Sequence, residues 1–141
     1  MSRNALVLVA VAIAGGFLFG RVSAQPASEP QTRVFELRTY TAAEGKLDEL
    51  NARFRDHTMR LFEKHGMTNV GYWVPMDEPG SNNTLVYLLA HDSREAAKES
   101  FAAFRKDPEW QKARDASEAN GKLAEKVVSV FVTPTDYSPM K

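Results

Sequence analysis

Apolar and polar residues alternate through Val34-Phe35-Glu36-Leu37-Arg38-Thr39-Tyr40, and the pattern stops before Gly45, which predicts a first strand. From Lys46 to His65 the period lengthens. Leu47, Leu50, Phe54, His57, Leu61 and His65 are spaced 3, 4, 3, 4 and 4, one apolar stripe along a helix of about five turns. Asp48 and Glu49 in its first turn and Lys64 and His65 in its last suit the helix dipole, and Gly66 is the natural stop.

The pattern then shortens again. Asn69 to Val74 reads as a second strand closed by Pro75, and Pro79-Gly80-Ser81-Asn82-Asn83 is a strong turn signal leading into a third strand at Thr84–Ala90. Asp92 and Glu95 form a capping-box pair for a second helix from Ser93 to about Lys106. Asp107-Pro108 is an N-cap followed by proline at the first helical position, so a separate helix is expected there. Lys126 to Thr133 is β-branched and ended by Pro134, a fourth strand. The order β-α-β-β-α-β predicts a ferredoxin-like α+β fold, an antiparallel sheet with helices on one face.

Two strands do not alternate as such a sheet requires. In the third, Leu85, Tyr87 and Leu89 oppose Val86, Leu88 and Ala90; in the fourth, Val128, Val130 and Val132 oppose Val127, Ser129 and Phe131. Both faces are apolar, and the predicted helices cover only one. The other is expected to meet a second copy of itself, giving a sheet-face homodimer.

Ahead of this domain, Arg3 precedes an uncharged apolar run from Ala5 to Phe19, and Val22-Ser23-Ala24 offers small residues at a cleavage site. Residues 1–24 therefore read as a secretory signal peptide, and the expected location is periplasmic or secreted. The alternative is an N-terminal membrane anchor, for which the run is short. Residues 25–32 are polar and proline-bearing, a disordered leader, and 33–137 form the domain.

Loss of Arg3 and Arg21 with the signal leaves 16 basic against 18 acidic side chains, with no basic tract. Nucleic acid is an unsuitable partner, and no membrane contact is expected after cleavage. Cysteine is absent, so packing and assembly must supply what disulfides give many exported domains. Phosphate loops, nucleotide fingerprints and the Gly-x-Ser-x-Gly context are missing, and no cofactor is expected.

Candidate chemistry is sparse. His57 and His65 share the helix stripe about 12 Å apart, too far to chelate one metal, and without cysteine or a His-Glu-x-x-His pattern no metal site is expected. They are either packed histidines or take a binding or acid–base role. His91, ending the third strand on the face of Tyr87, reads as a loop histidine. Glu36, Arg38 and Tyr40 share one face of the first strand. If that face meets the partner, Glu36 and Arg38 form a buried ion pair, or else a polar corner of a pocket with Tyr40 and Tyr72 as hydroxyl donors. Trp73 and Trp110 suit core or interface anchors.

Together Glu36-Leu37-Arg38-Thr39-Tyr40, Gly45-Lys46-Leu47-Asp48, His57-Thr58, Lys64-His65-Gly66, Val70-Gly71-Tyr72-Trp73 and Asp107-Pro108-Glu109-Trp110 resemble the NIPSNAP domain, in order and spacing, from about Val34 to Val132. Met59-Arg60 stands where members often have a proline-containing pair, so the middle of the first helix departs from the family pattern. The resemblance implies a dimeric α+β barrel, in a superfamily that includes cofactor-independent monooxygenases, haem-degrading enzymes and stress-response proteins. It implies no catalytic residue here, and the export signal makes the trafficking roles of animal members a poor transfer.

The leading expectation is an exported homodimer that binds a small apolar or aromatic molecule between sheet and helices, near His57, His65, Tyr40, Tyr72 and Trp73. A cofactor-independent oxygenase or isomerase is the second, and a structural or interaction module the third.

Overall fold

The computed structural model describes residues 33–141, so the expected signal peptide (1–24) and leader (25–32) fall outside the described residues. Four strands, β1 (Val34–Ala42), β2 (Thr68–Trp73), β3 (Thr84–His91) and β4 (Ala124–Val132), form one sheet in the order β2-β3-β1-β4. Every neighbouring pair is antiparallel. The chain is the expected ferredoxin-like α+β fold.

Between β1 and β2 runs a single helical stretch in three parts: α1 (Leu47–Arg53), a π-helical turn (Phe54–Thr58) and α2 (Met59–Lys64). Leu47, Leu50 and Phe54 face the core as their spacing predicts. The π turn then takes in one residue more than an α-helix would, and the stripe moves. Thr58 is buried in place of His57, and its hydroxyl donates to the Arg53 carbonyl at 3.2 Å. After the turn Leu61 and Phe62 carry the core contact. Gly66, at a φ of +79°, ends α2 with paired bonds from Gly66 N–H to the Glu63 carbonyl and from Met67 N–H to the Phe62 carbonyl.

A short helix α3 (Gly80–Asn83) occupies the predicted turn before β3. In α4 (Arg94–Lys106) the cap is Ser93, whose hydroxyl accepts from Ala96 N–H, not the expected Asp92. Asp107 caps α5 (Pro108–Ser117) as expected, accepting from Glu109 N–H, with Pro108 in the first turn. His65 and Lys64 both reach Asp107 Oδ2 at 2.7 Å, tying the end of α2 to the start of α5.

The helices cover one face of the sheet. Under them Leu50, Phe54, Leu61, Phe62, Leu85, Tyr87, Leu89 and Phe104 make one core, each large side chain worth roughly 1.5–3 kcal/mol of burial. No described helix is long and apolar enough to cross a membrane. Among the described residues the other face is bare over most of its width: Leu37, Trp73, Val128, Val130 and Val132 are all exposed. At one end the carboxy-terminal segment folds over it, so that Thr133, Pro134, Ser138 and Met140 border a small cavity with Phe35, Leu88 and Val132.

A register shift in β2 decides what lies on each face. Asn69 pairs with Leu89 but Gly71 with Leu88, leaving Val70 as an extra residue. Tyr72 is thereby opposite Tyr87 on the helix side, and Trp73 opposite Val86 on the bare side. Trp73 lies against Gly71, where a Cβ would come within 2.5 Å of the indole. Only glycine leaves room for that ring.

Candidate functional site

Glu36, Arg38 and Tyr40 do share a face of β1, but it is the helix-covered one. Pairing sets Glu36 beside Leu89, Arg38 beside Tyr87 and Tyr40 beside Leu85, all core positions of β3. The corner imagined against a partner therefore lies inside the single chain.

Here the ion pair of Glu36 and Arg38 and the imidazole of His91 are drawn away from water together. Arg38 Nη1 donates to Glu36 Oε1 at 2.6 Å, Nε to the Tyr87 hydroxyl at 2.8 Å, and Nη2 to the Tyr40 hydroxyl at 3.4 Å. Ser129 of β4 donates to the same Glu36 oxygen, and His91 Nε2 lies 3.0 Å from Oε2. Burial alone would raise the Glu36 pKa. Hydrogen bonds from His91 and Ser129 and the charge of Arg38 outweigh it, and the carboxyl is held down at about 2. Facing an ionised carboxylate, His91 Nε2 must carry the proton of that bond. Its Nδ1 is buried without a partner among the described residues. Burial likewise pushes the Tyr72 phenol up, with the neighbouring Tyr40 and Glu63 adding to it.

Two neighbouring hollows open above this floor. The inner one, about 250 Å³, lies between the sheet and the helices and is walled by Tyr40, Phe54, Phe62, Phe101, Phe104 and Trp110. Arg38, Arg53, Arg105, Arg114 and Thr58 complete its lining. The outer one, about 490 Å³, runs along α4 over Glu36 and Phe131 and shares Arg38, Phe101 and Arg105 with the first. The Arg38 guanidinium lies 4.6 Å from the Phe101 ring centre, and Arg53 lies 5.3 Å from that of Trp110. Such a cleft can sequester a flat apolar body against aromatic walls and orient it with guanidinium donors.

The expected site residues part company here. Tyr40 lines the inner hollow, and Tyr72 stands behind it, stacked on Tyr87 at 5.1 Å and donating to Asn69. Glu36 and Arg38 form the floor. His65 is spent on Asp107, whose carboxyl is held well below its usual range by Lys64 and His65. His57 is a correction: the π turn rotates it out of the stripe, and it is exposed at a groove between α1 and α5. Trp73 is another, since the β2 bulge turns it onto the bare face, away from both tyrosines. His91 is a third. It is a buried member of the network, not a loop histidine, and its period-two relation to Tyr87 was the signal for that. Arg53 and Arg105 were missed altogether. Among the described residues no group of three or more His, Cys, Asp or Glu could hold a metal ion.

Fold and site together define an α+β domain whose sheet and helices enclose an aromatic, arginine-edged cleft over a buried ionic floor. The chain belongs to the NIPSNAP family, whose model matches residues 35–139. Among solved structures it is similar to a NIPSNAP family protein of unknown function from Agrobacterium tumefaciens, at 23% identity and a TM-score of 0.66, over 80% of this chain and 97% of that one. A NIPSNAP-like domain protein from Burkholderia xenovorans shares 19% identity at a TM-score of 0.66, over 77% and 90% of the two chains. A Streptomyces coelicolor monooxygenase, solved with the ligand Nanaomycin D, shares 18% identity at a TM-score of 0.55, over 78% and 94%. These likenesses are of fold. A search of curated protein sequences gives no match.

Proposed function

We propose that this chain is an exported, homodimeric NIPSNAP domain that binds a small aromatic molecule in the cleft between sheet and helices. One observation carries the binding reading: a hollow of about 250 Å³ walled by six aromatic side chains and floored by Arg38. A purely structural module gains nothing from leaving that volume unfilled, because each missing contact forfeits dispersion energy. Crystals of the purified protein soaked in 1-naphthol should show the ring between Tyr40, Phe101 and Trp110. Clear density for water alone would sink the binding reading.

Pairing through the bare face rests on the exposed row of Leu37, Trp73, Val128, Val130 and Val132, apolar surface that a lone chain leaves in water. Export rests on the amino-terminal pattern, and intact mass of the processed protein should begin at Gln25. Catalysis is the weaker reading. Glu36, the carboxylate at the cleft floor, is held at about 2 and is a poor base near neutral pH. It serves better to fix Arg38 and His91.

A further inference from the structure

We infer that the cleft's ligand is an aromatic oxyanion, such as an aromatic carboxylate, and that Arg105 is the side chain that takes its charge. The inference rests on the binding reading above and narrows it to a chemical class.

The lining of the inner hollow is one-sided in charge. It contains Arg38, Arg53, Arg105 and Arg114 and no carboxylate. Three of these arginines are already engaged. Arg38 bonds Glu36, Arg53 bonds Glu118 at 2.9 Å, and Arg114 bonds Asp115 at 2.7 Å. Arg105 is different: its side chain makes no hydrogen bond or ion pair among the described residues. It also stands where the two hollows meet, lining both together with Arg38 and Phe101.

Donors are left over as well. Arg53 is buried, yet its Nε has no partner. Arg38 uses three of its five N–H groups, which leaves two. The carboxylates of the outer hollow do not fill this need. Glu36 is held by Arg38, His91 and Ser129, and Glu95 is exposed in the first turn of α4. A neutral ligand would cover guanidinium groups without compensating them, and an ammonium would be repelled. An aromatic oxyanion satisfies both halves of the lining, its ring against Phe104 and Trp110 and its oxygens on the forked donors of Arg105.

The test compares 1-naphthoate, the neutral 1-naphthamide and the cationic 1-naphthylmethylammonium by isothermal titration. The protein is purified from cells expressing the full chain. Naphthoate should bind at least about tenfold more tightly than naphthamide, as a hydrogen bond to a charged group commands. Arg105→Gln should remove that preference while leaving naphthamide within about twofold. Arg94→Gln, which alters a charge of the outer hollow alone, should leave both ligands within about twofold. Arg105 is exposed, and a thermal melt checks that the variant folds. Equal binding of naphthoate and naphthamide, or a preference that survives Arg105→Gln, overturns the oxyanion inference and leaves the aromatic cleft standing. If none of the three binds at millimolar concentration, the cleft reading falls and this inference with it.

Discussion

The two faces of one sheet have been solved in opposite ways. Toward the helices, β1 presents Glu36, Arg38 and Tyr40, and each nitrogen and oxygen of their network but His91 Nδ1 has at least one partner there. Away from them the same strands leave valine and leucine largely uncovered among the described residues: Val130 is half exposed, whereas Glu36 is 2% exposed. Burial therefore does not follow hydrophobicity here. Charges go inside where their partners are fixed by strand register, and apolar residues stay outside where another surface can meet them. On the proposed reading, ligand binding and pairing fall on separate faces of one layer.

Glu36→Ala should break the inner side most. It strands a buried guanidinium and a buried imidazole together, for a loss of about 3–5 kcal/mol measured by urea unfolding. Acid probes the same site without mutation. The Glu36 carboxyl titrates near 2 in the folded chain and near 4.5 in the unfolded one, so its stabilisation is complete above pH 4.5 and is lost as pH falls toward 2. The amount is on the order of 3 kcal/mol. Glu36→Gln should flatten that acid limb, and an unchanged slope would assign it to other groups.

The outer side is tested by Val130→Glu. With a second copy against the face, the new charge is buried unpaired and weakens association by roughly 2–3 kcal/mol. Sedimentation should show dimer giving way to monomer; a wild-type chain that is monomeric at micromolar concentration would remove the pairing argument. The smallest effect belongs to neither face. His57→Leu, on the exposed side of the π turn, should change stability by no more than about 0.5 kcal/mol and leave ligand binding untouched. A cleft ligand lost with His57 would reinstate that residue in the site.

The strands, the helices and their order were legible in the sequence because each rests on a period that neighbouring residues repeat. Of the three misplaced residues, His57 and Trp73 each owe their place to a single extra residue. The stripe Leu47-Leu50-Phe54 predicts His57 only if the helix stays α; the π turn at Phe54–Thr58 substitutes Thr58. In β2 the extra Val70 sets Tyr72 and Trp73 on faces that an unbroken register would have exchanged. Periodicity cannot announce its own interruption, although Met59-Arg60 had marked the middle of that helix as unlike the family. The cleft was invisible for another reason. Arg53, Arg105 and Trp110 lie on three different helices, and their meeting depends on packing between elements rather than spacing within one.

The position of β4 has a consequence of its own. It is an edge strand, with β1 on one side and, among the described residues, no strand paired to the backbone donors and acceptors on the other. From Val127 to Thr133 it has high β-propensity and no charge, the composition that templates further strands. Lys126 precedes that run and Pro134 follows it, the kinds of residue that bar added strands from extending past an apolar segment. Until something covers the adjoining valines, the strand that completes the sheet is also an edge on which a further strand can add, and those two gatekeepers bound the length over which it can do so.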